Sequence, residues 1–336
     1  MIFVTGGTGF LGSYIIQELV LKGRPVRALY RQRTRPFFMP PEISEKISWV
    51  KGDILDVNGL IGHLEGCSQI IHAAGMVSFN PDDKKNLYKI NIEGTANLVN
   101  AALEVGVNEF FHVSSVSALG RSTESKPVNE EKKWPGTKGQ SNYGISKYYG
   151  EMEVWRGMGE GLSPVIVNPA TLLGYGDWNE TSCGLFKTAF REFPWYMNGT
   201  NGFADVQDTA RAILALMDSP IRNERFIISA ENRSYREIFN WMAKGFSKKQ
   251  PSKKTNAFIA GMAWRIEKIK SGFSGNKPLI TRESVAIAGR QSLYDNDKLM
   301  NALPEFRFRS LEDSIYEACA KYLENMQKAE GIKPKA

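Results

Sequence analysis

Through the first two-thirds of the chain, short apolar blocks alternate with longer stretches whose apolar residues recur at helical spacing. The opening block, Ile2-Phe3-Val4-Thr5, reads as a strand that empties into Gly6-Gly7-Thr8-Gly9 before a helix pattern begins at Phe10. Val26–Tyr30, Ile47–Asp53, Gln69–Ala74, Glu109–Ser115 and Pro164–Pro169 read as further strands, with helical patterns such as Leu98–Leu103 between them. Strands separated by helices require right-handed crossovers and give a parallel sheet covered on both faces. The predicted fold class is α/β, with a doubly wound parallel sheet followed by a smaller, mostly helical C-terminal domain. Ligands of such sheets sit beyond the carboxyl ends of the strands. Here those ends carry Gly6 to Gly12, Tyr30-Arg31, Asp53-Ile54, Ala73-Ala74-Gly75, Ser114-Ser115 and Pro169.

The glycine-rich turn carries the first chemical signal. At Gly6, Gly7 and Gly9 the missing Cβ permits a tight turn and close approach of the backbone to a pyrophosphate, and Gly12 lets the following helix sit against the strand. The helix then presents free N–H groups and its positive dipole end to the phosphates. Glycine turns also join strands to helices for purely structural reasons, but the position after the first strand favours a dinucleotide. On that reading, residues 1–167 and 203–230 form the dinucleotide-binding domain, and residues 168–202 and 231–330 a substrate-binding domain.

A second signal is Tyr143-Gly144-Ile145-Ser146-Lys147. Residues four apart on a helix project from one face. A neighbouring ammonium and a cationic nicotinamide ring would both favour phenolate over phenol, lowering a pKa that starts near ~10. Such a tyrosine can pass a proton to or from a substrate oxygen while the ring exchanges hydride, and Ser115 could hold that oxygen. The plain alternative is a Tyr/Lys pair on a helix surface.

Composition narrows the class. With 336 residues, 42% of them hydrophobic, the chain can bury a large core and is long for one compact unit. No apolar run approaches the ~20 residues of a membrane span. The first apolar stretch leads straight into the glycine turn, which argues against a cleaved signal peptide. Cys67, Cys183 and Cys319 are far apart and odd in number, with no CxxC pair and only three histidines as co-ligands. That pattern points to a reducing, cytoplasmic setting and to no metal centre.

Taken together, Thr5-Gly6-Gly7-Thr8-Gly9-Phe10-Leu11-Gly12, Gly52-Asp53-Ile54-Leu55-Asp56, His72-Ala73-Ala74-Gly75, Asn91-Ile92-Glu93-Gly94-Thr95, Val113-Ser114-Ser115, Tyr143 to Lys147 and Asn168-Pro169 occur in the order of the extended short-chain dehydrogenases/reductases, the NAD-dependent epimerase/dehydratase superfamily. The resemblance spans nearly the whole chain and extends to Phe203–Ala210 and Tyr294–Leu299. It implies a Rossmann-type domain, a tyrosine acid/base at Tyr143, a lysine at Lys147 that lowers its pKa and holds the nicotinamide ribose, and a serine at Ser115 that orients the substrate oxygen. By the same resemblance, Asn91 is a structural support near the cofactor and Asp53 reaches the adenine amino group with Ile54 beside it. Asp53 as a turn residue capping the next helix is the structural alternative. The cofactor set so implied is Gly6, Thr8, Gly9, Phe10, Leu11, Gly12, Arg31, Asp53, Ile54, Ala73, Ala74, Gly75, Asn91, Ser114, Tyr143, Lys147 and Pro169.

The end of the second strand decides between cofactors. An acid there would accept the adenosine ribose hydroxyls, whereas arginine serves the extra phosphate of NADP. The chain reads Tyr30-Arg31-Gln32-Arg33-Thr34-Arg35, without a carboxylate. Arg31 stands where the dihydroflavonol-reductase-like branch carries its phosphate-binding arginine, so NADP(H) is favoured, with NAD(H) the alternative and a solvated basic loop the structural reading. Sugar-nucleotide dehydratases of the superfamily place an Asp-Glu pair after the serine position; here Val116–Gly120 holds none. Residues Ala170–Trp178 resemble the flavonol-reductase and hydroxysteroid-dehydrogenase branch, which implies an apolar carbonyl or secondary alcohol. Met76, Val77, Ser78, Tyr175, Trp178 and Phe203 are candidate substrate walls, or else plain core.

One charge anomaly remains. Lys244 to Lys270 holds eight lysines and arginines against Glu267 alone, an excess as large as the chain's net +7. Phe258, Met262 and Ile266 recur every fourth residue within it, as in an amphipathic helix. A helix covering the substrate pocket, with lysines on its rim, is the favoured reading; membrane-surface contact is the second. No recognition motif for nucleic acid accompanies the charge. The leading function is an NADP-dependent reductase or dehydrogenase for a small apolar substrate, with a homodimer a plausible assembly. A sugar-nucleotide epimerase with tightly bound NAD and a nonenzymatic dinucleotide sensor are the alternatives.

Overall fold

Short runs of β-branched and aromatic residues, buried on both sides, build the main sheet of the computed structural model, which describes residues 1–32, 36–120, 126–255 and 289–329. The strands are β1 Ile2–Thr5, β2 Val26–Tyr30, β3 Ile47–Lys51, β4 Gln69–His72, β5 Glu109–Val113, β6 Ser163–Pro169, β7 Thr171–Leu173, β8 Trp195–Tyr196, β9 Thr200–Asp205, β10 Glu224–Ile228, β11 Glu231–Ser234 and β12 Lys253–Lys254. The helices are α1 Phe10–Leu21, α2 Pro41–Ser44, α3 Val57–Leu64, α4 Lys84–Tyr88, α5 Gly94–Val105, α6 Asn142–Gly159, α7 Gly184–Phe190, α8 Val206–Asp218, α9 Tyr235–Gly245, α10 Asp297–Ala302 and α11 Leu311–Ala329.

Seven strands pair in the order β10-β6-β5-β4-β1-β2-β3. All neighbours run parallel, so this is the doubly wound Rossmann-type sheet expected from the alternating pattern. The strand order reverses between β1 and β4, and the crevice at that switch point is where such sheets bind ligands. Register places Phe3 beside Ile70 and Ile70 beside Phe110. This fully buried row packs with Leu98 and Val99 of α5 and Val154 of α6. Alternate residues such as Val4, Ile71 and Phe111 turn to the opposite face. Helix α1 packs on α8, and α5 on both α3 and α6.

The chain divides into two compact units. The first comprises Met1–Ala170, Val206–Ile228 and Asp295–Arg307, and the second Thr171–Asp205, Ser229–Tyr294 and Phe308–Ala336. Four details differ from the boundaries read in the sequence, the first being that Ser229 and Ala230 belong to the second unit. Residues 168–170 stay with the first unit because β6 runs on to Pro169, and residues 203–205 belong to the second as the end of β9. Residues 295–307 return to the first unit, where the Asp295 amide donates to the Val128 carbonyl at 2.9 Å and α10 packs on β10.

In the second unit, β9 pairs parallel with β7 and antiparallel with β11, and β8 pairs with β12. Its core gathers Leu173, Phe186, Ile238, Met242, Ile315 and Tyr322 from these strands and from α7, α9 and α11. Helix α9 starts at a reciprocal cap in which Ser234 Oγ accepts from the Glu237 amide and Glu237 returns to the Ser234 amide. The cysteines are free thiols. No described helix is long and apolar enough to cross a membrane. The amphipathic pattern at Phe258, Met262 and Ile266, like Arg33 and Arg35, lies outside the described residues.

Candidate active site

The glycine turn closes the crevice at the tip of β1. Gly6 adopts φ +72°, and a Cβ there would stand 2.4 Å from the backbone of Ala73 and Ala74. A Cβ on Gly12 would stand 2.1 Å from the Gly6 carbonyl oxygen. Only glycine lets the tips of β1 and β4 and the start of α1 approach this closely. Helix α1 begins after Gly9 with no side-chain cap and no acidic residue in its first turn. Its leading N–H groups therefore suit an anion, and the cradle fits a dinucleotide diphosphate. Thr8 and Phe10 are half-buried in this turn and Leu11 is buried beneath it.

A one-way chain of hydrogen bonds links that turn to the next element. The Ala74 amide donates to Thr5 Oγ1 at 3.3 Å, and Thr5 Oγ1 contacts His72 Nδ1 at 2.7 Å. His72 Nε2 contacts Thr95 Oγ1 at 3.0 Å, whose hydroxyl donates to the Asn91 carbonyl at 2.8 Å. Because Thr95 spends its proton on Asn91, His72 donates from Nε2, and in the neutral ring Nδ1 accepts from Thr5. Burial, with help from the Lys147 charge, pushes His72 down to about 3. His112, 5.2 Å from His72 ring to ring, is held well below its usual range by the same causes, and neither of its ring nitrogens has a partner.

Asn91 sits in a single π-helical turn, Lys89–Glu93, a distortion frequent at functional sites. Its Nδ2 donates to the Met76 carbonyl and to Ser146 Oγ, both at 2.9 Å, and its Oδ1 accepts from the Met76 amide at 2.7 Å. Asn91 is thus fully engaged as a clamp between the loop after β4 and helix α6. A Cβ on Gly150 would stand 2.5 Å from the Asn91 carbonyl oxygen, so glycine sets how closely α6 packs on this turn.

Helix α6, capped by Ser141 Oγ on the Gly144 amide, carries Tyr143, Lys147 and Glu151 on one buried face. Lys147 Nζ donates to the Val113 carbonyl at 2.8 Å. Burial lowers its pKa to about 8, against the pull of Glu151. Burial pushes the Tyr143 phenol above its usual value, while the nearby Ser115 side chain works in the other direction. Tyr143 and Lys147 thus share one face of α6, and Ser115 lies near the Tyr143 side chain. Burial by the chain's own residues raises the Tyr143 pKa, whereas the lowering expected from the sequence called for Lys147 and a cationic nicotinamide ring together.

Two contributors were not singled out in the sequence. Glu151 accepts from Asn168 Nδ2 at 2.6 Å and from Arg225 at 3.2 Å, and the same Asn168 nitrogen donates to the Ser115 carbonyl at 2.9 Å. Its spacing, four beyond Lys147 and eight beyond Tyr143, was the available signal. Phe79 sets its ring against Tyr143, centroids 5.8 Å apart.

The remaining candidates divide by place. Arg31 is exposed just beyond β2. Asp53 Oδ1 accepts from the Leu55 amide, whereas the cap of α3 is Asp56, so capping is not the role of Asp53. Ile54 is buried in the core against Gly94. Ser114 is buried with its Oγ unpartnered, Gly75 leaves room beside Asn91 Oδ1 and Lys147 Nζ, and Pro169 ends β6. Met76 is half-buried and Val77 is 48% exposed. Ser78 is occupied, donating to Asp83 at 2.6 Å. In the second unit, Tyr175 and Trp178 pack on Tyr322, with centroids 4.8 and 5.6 Å away. Phe203 has no exposed surface and packs edge-on to Tyr235, so it is core and not a substrate wall. No cluster of three metal-ligating side chains occurs among the described residues.

Residues 2–229 match the NAD dependent epimerase/dehydratase family. A Synechocystis protein named as a dihydroflavonol 4-reductase is 30% identical over 324 residues, covering 94% of this chain and 93% of its own. Cinnamoyl-CoA reductase 1 of Oryza sativa subsp. japonica is 27% identical, over 68% of this chain and 70% of its own. The crystal structure of gox2253 superposes with a TM-score of 0.80 at 27% identity, covering 97% and 98% of the two chains.

Glu151 is a charge that favours the protonated form of Lys147. In protein labelled with 13C-lysine, the Lys147 side chain should titrate near pH 8, and Glu151→Gln should move that midpoint downward. A midpoint unchanged in the variant would reduce Glu151 to a purely structural residue.

Proposed function

The chain belongs to the NAD dependent epimerase/dehydratase family, and we propose that it interconverts a carbonyl and a secondary alcohol on a small apolar substrate, using NADP(H). It is an NAD(P)-dependent enzyme of the extended short-chain dehydrogenase/reductase type. The observation that carries the proposal is the buried face of α6, where Tyr143 stands one turn from a Lys147 anchored on the Val113 carbonyl, two residues before Ser115, whose own carbonyl Asn168 holds. No carboxylate for water elimination follows in Val116–Gly120.

Each residue then has a task. The Gly6–Gly12 turn and the start of α1 hold the diphosphate, Asp53 meets the adenine, and Lys147 holds the nicotinamide ribose. When bound, the cofactor supplies or accepts the hydride. Ser115 orients the substrate oxygen by its hydroxyl. Tyr143 gives its Oη proton to that oxygen in reduction and takes it back in oxidation. With a pKa of about 8, Lys147 is mostly charged at neutral pH and stabilises the phenolate that remains. Burial keeps Tyr143 a phenol beforehand, which suits the proton-donating direction. Met76, the exposed Val77 and Phe79 offer apolar contact beside the tyrosine. The names of the two relatives, a dihydroflavonol 4-reductase and a cinnamoyl-CoA reductase, support a substrate that bears an aromatic ring near the reacting carbonyl.

Arg31 is the basis for NADP(H). Fluorescence titration should give tighter binding of NADPH than of NADH, and Arg31→Ala should remove most of the difference. Loss of a charge-assisted hydrogen bond, ~1.5–3 kcal/mol, corresponds to roughly tenfold or more in affinity. Equal affinities in the unmodified protein would overturn the assignment, and NAD that stays bound through purification would favour the epimerase reading.

Tyr143→Phe should bind NADPH normally yet lose turnover on a panel of aromatic and alicyclic carbonyls by roughly 10²–10⁴-fold, the usual contribution of a placed acid/base. Near-normal turnover in that variant would remove Tyr143 from the relay.

A further inference from the structure

The second unit carries a basic, aromatic surface that the proposed reaction does not use. Lys244, Lys248, Lys249, Lys253 and Lys254 fall within eleven residues that contain no carboxylate. The last four are exposed and pair with no carboxylate among the described residues. Nearby acids are engaged elsewhere: Glu312 faces Lys244 at 3.7 Å, Glu237 caps α9 and faces Arg233, and Glu192 accepts the Lys249 backbone amide at 3.1 Å.

Strand pairing sets aromatic residues among these lysines. Lys253 lies beside Trp195 and Lys254 beside Tyr196, with the Pro194 carbonyl accepting from the Ser252 and Lys253 amides at 3.1 and 2.8 Å. Phe193, immediately before, is 44% exposed and next to the exposed Pro194. The aromatic faces are already covered by cations: Lys253 Nζ stands 5.4 Å from the Trp195 centroid, the Arg236 guanidinium 4.6 Å from Tyr196, and Lys248 Nζ 5.1 Å from Phe190. These distances are those of cation–π contacts.

We propose that this surface docks on an anionic lipid bilayer, with Phe193 entering the headgroup boundary and the lysines meeting the headgroups. Charge alone would also suit a nucleic acid. Bases, however, bind such surfaces by stacking on open aromatic faces, and here a cation stands over each of Phe190, Trp195 and Tyr196 while Phe193 is exposed. Amphipathic aromatic residues flanked by lysines are the side chains that settle at a lipid–water boundary, and each lysine near an anionic surface contributes about a fivefold gain in partitioning. The inference is independent of the catalytic reading, since it uses none of the relay residues.

The test is sedimentation of the full-length chain with vesicles of phosphatidylcholine containing phosphatidylserine, against vesicles of phosphatidylcholine alone. Binding to the anionic vesicles should be strong at low salt and fall steeply as the Debye length shrinks to ~10 Å at 0.1 M. Replacing Lys248, Lys249, Lys253 and Lys254 together by Gln should weaken it by about 100-fold or more, and Phe193→Ser by about tenfold with the charge unchanged. Both variants should keep NADPH affinity and thermal stability near those of the parent, which separates loss of docking from loss of fold. Absence of binding at low salt, equal binding to neutral vesicles, or tighter binding to single-stranded DNA would overturn the proposal.

Discussion

The close seat of α6 is the constraint on which the site depends. Glycine at position 150 lets the helix press on the carbonyl of Asn91, and from that seat Lys147 reaches the Val113 carbonyl. That proximity has an electrostatic cost, since it takes an ammonium and a carboxylate out of water. The protein offsets it by giving each buried charge partners: Lys147 has a strand carbonyl, and Glu151 has Asn168 and Arg225. Asn168 joins the two halves, because the nitrogen that bonds Glu151 also holds the carbonyl of Ser115. One helix face and the ends of β5, β6 and β10 therefore move as a unit, and pre-organised side chains of this kind are what a proton relay requires.

Much of this was legible in the sequence where the signal was local. Six strands and the glycine turn were readable because a parallel strand is a continuous apolar block ended by a turn, and Tyr143 and Lys147 because four residues make one helical turn. What escaped depends on distant pairing. Strand β10 opens on Glu224-Arg225 and reads as surface, yet its parallel pairing with β6 makes it the sheet edge. Residues 295–307 return to the first unit by a backbone contact to Val128 that no spacing encodes. Phe203 stayed open between wall and core, since an aromatic residue near a turn looks the same whether it lines a pocket or fills a core. Glu151 had the right spacing, but its meaning lay in Asn168 and Arg225, 17 and 74 residues away.

The two histidines beneath Lys147 give the protein a particular weakness. A neutral His72 is the only form that can accept from Thr5 while donating to Thr95, and His112 has no partner for a second proton. In the unfolded chain both would protonate near pH ~6.5, whereas in the folded chain His72 resists down to about 3 and His112 shares the direction. Between those limits the unfolded state binds more protons, so acid draws the equilibrium toward it, by roughly 1.4 kcal/mol per pH unit for His72 and in the same direction for His112. The stability present above pH ~6.5 is lost as the medium acidifies. The same buried layer that underlies the cofactor crevice thus makes the fold less stable in acid.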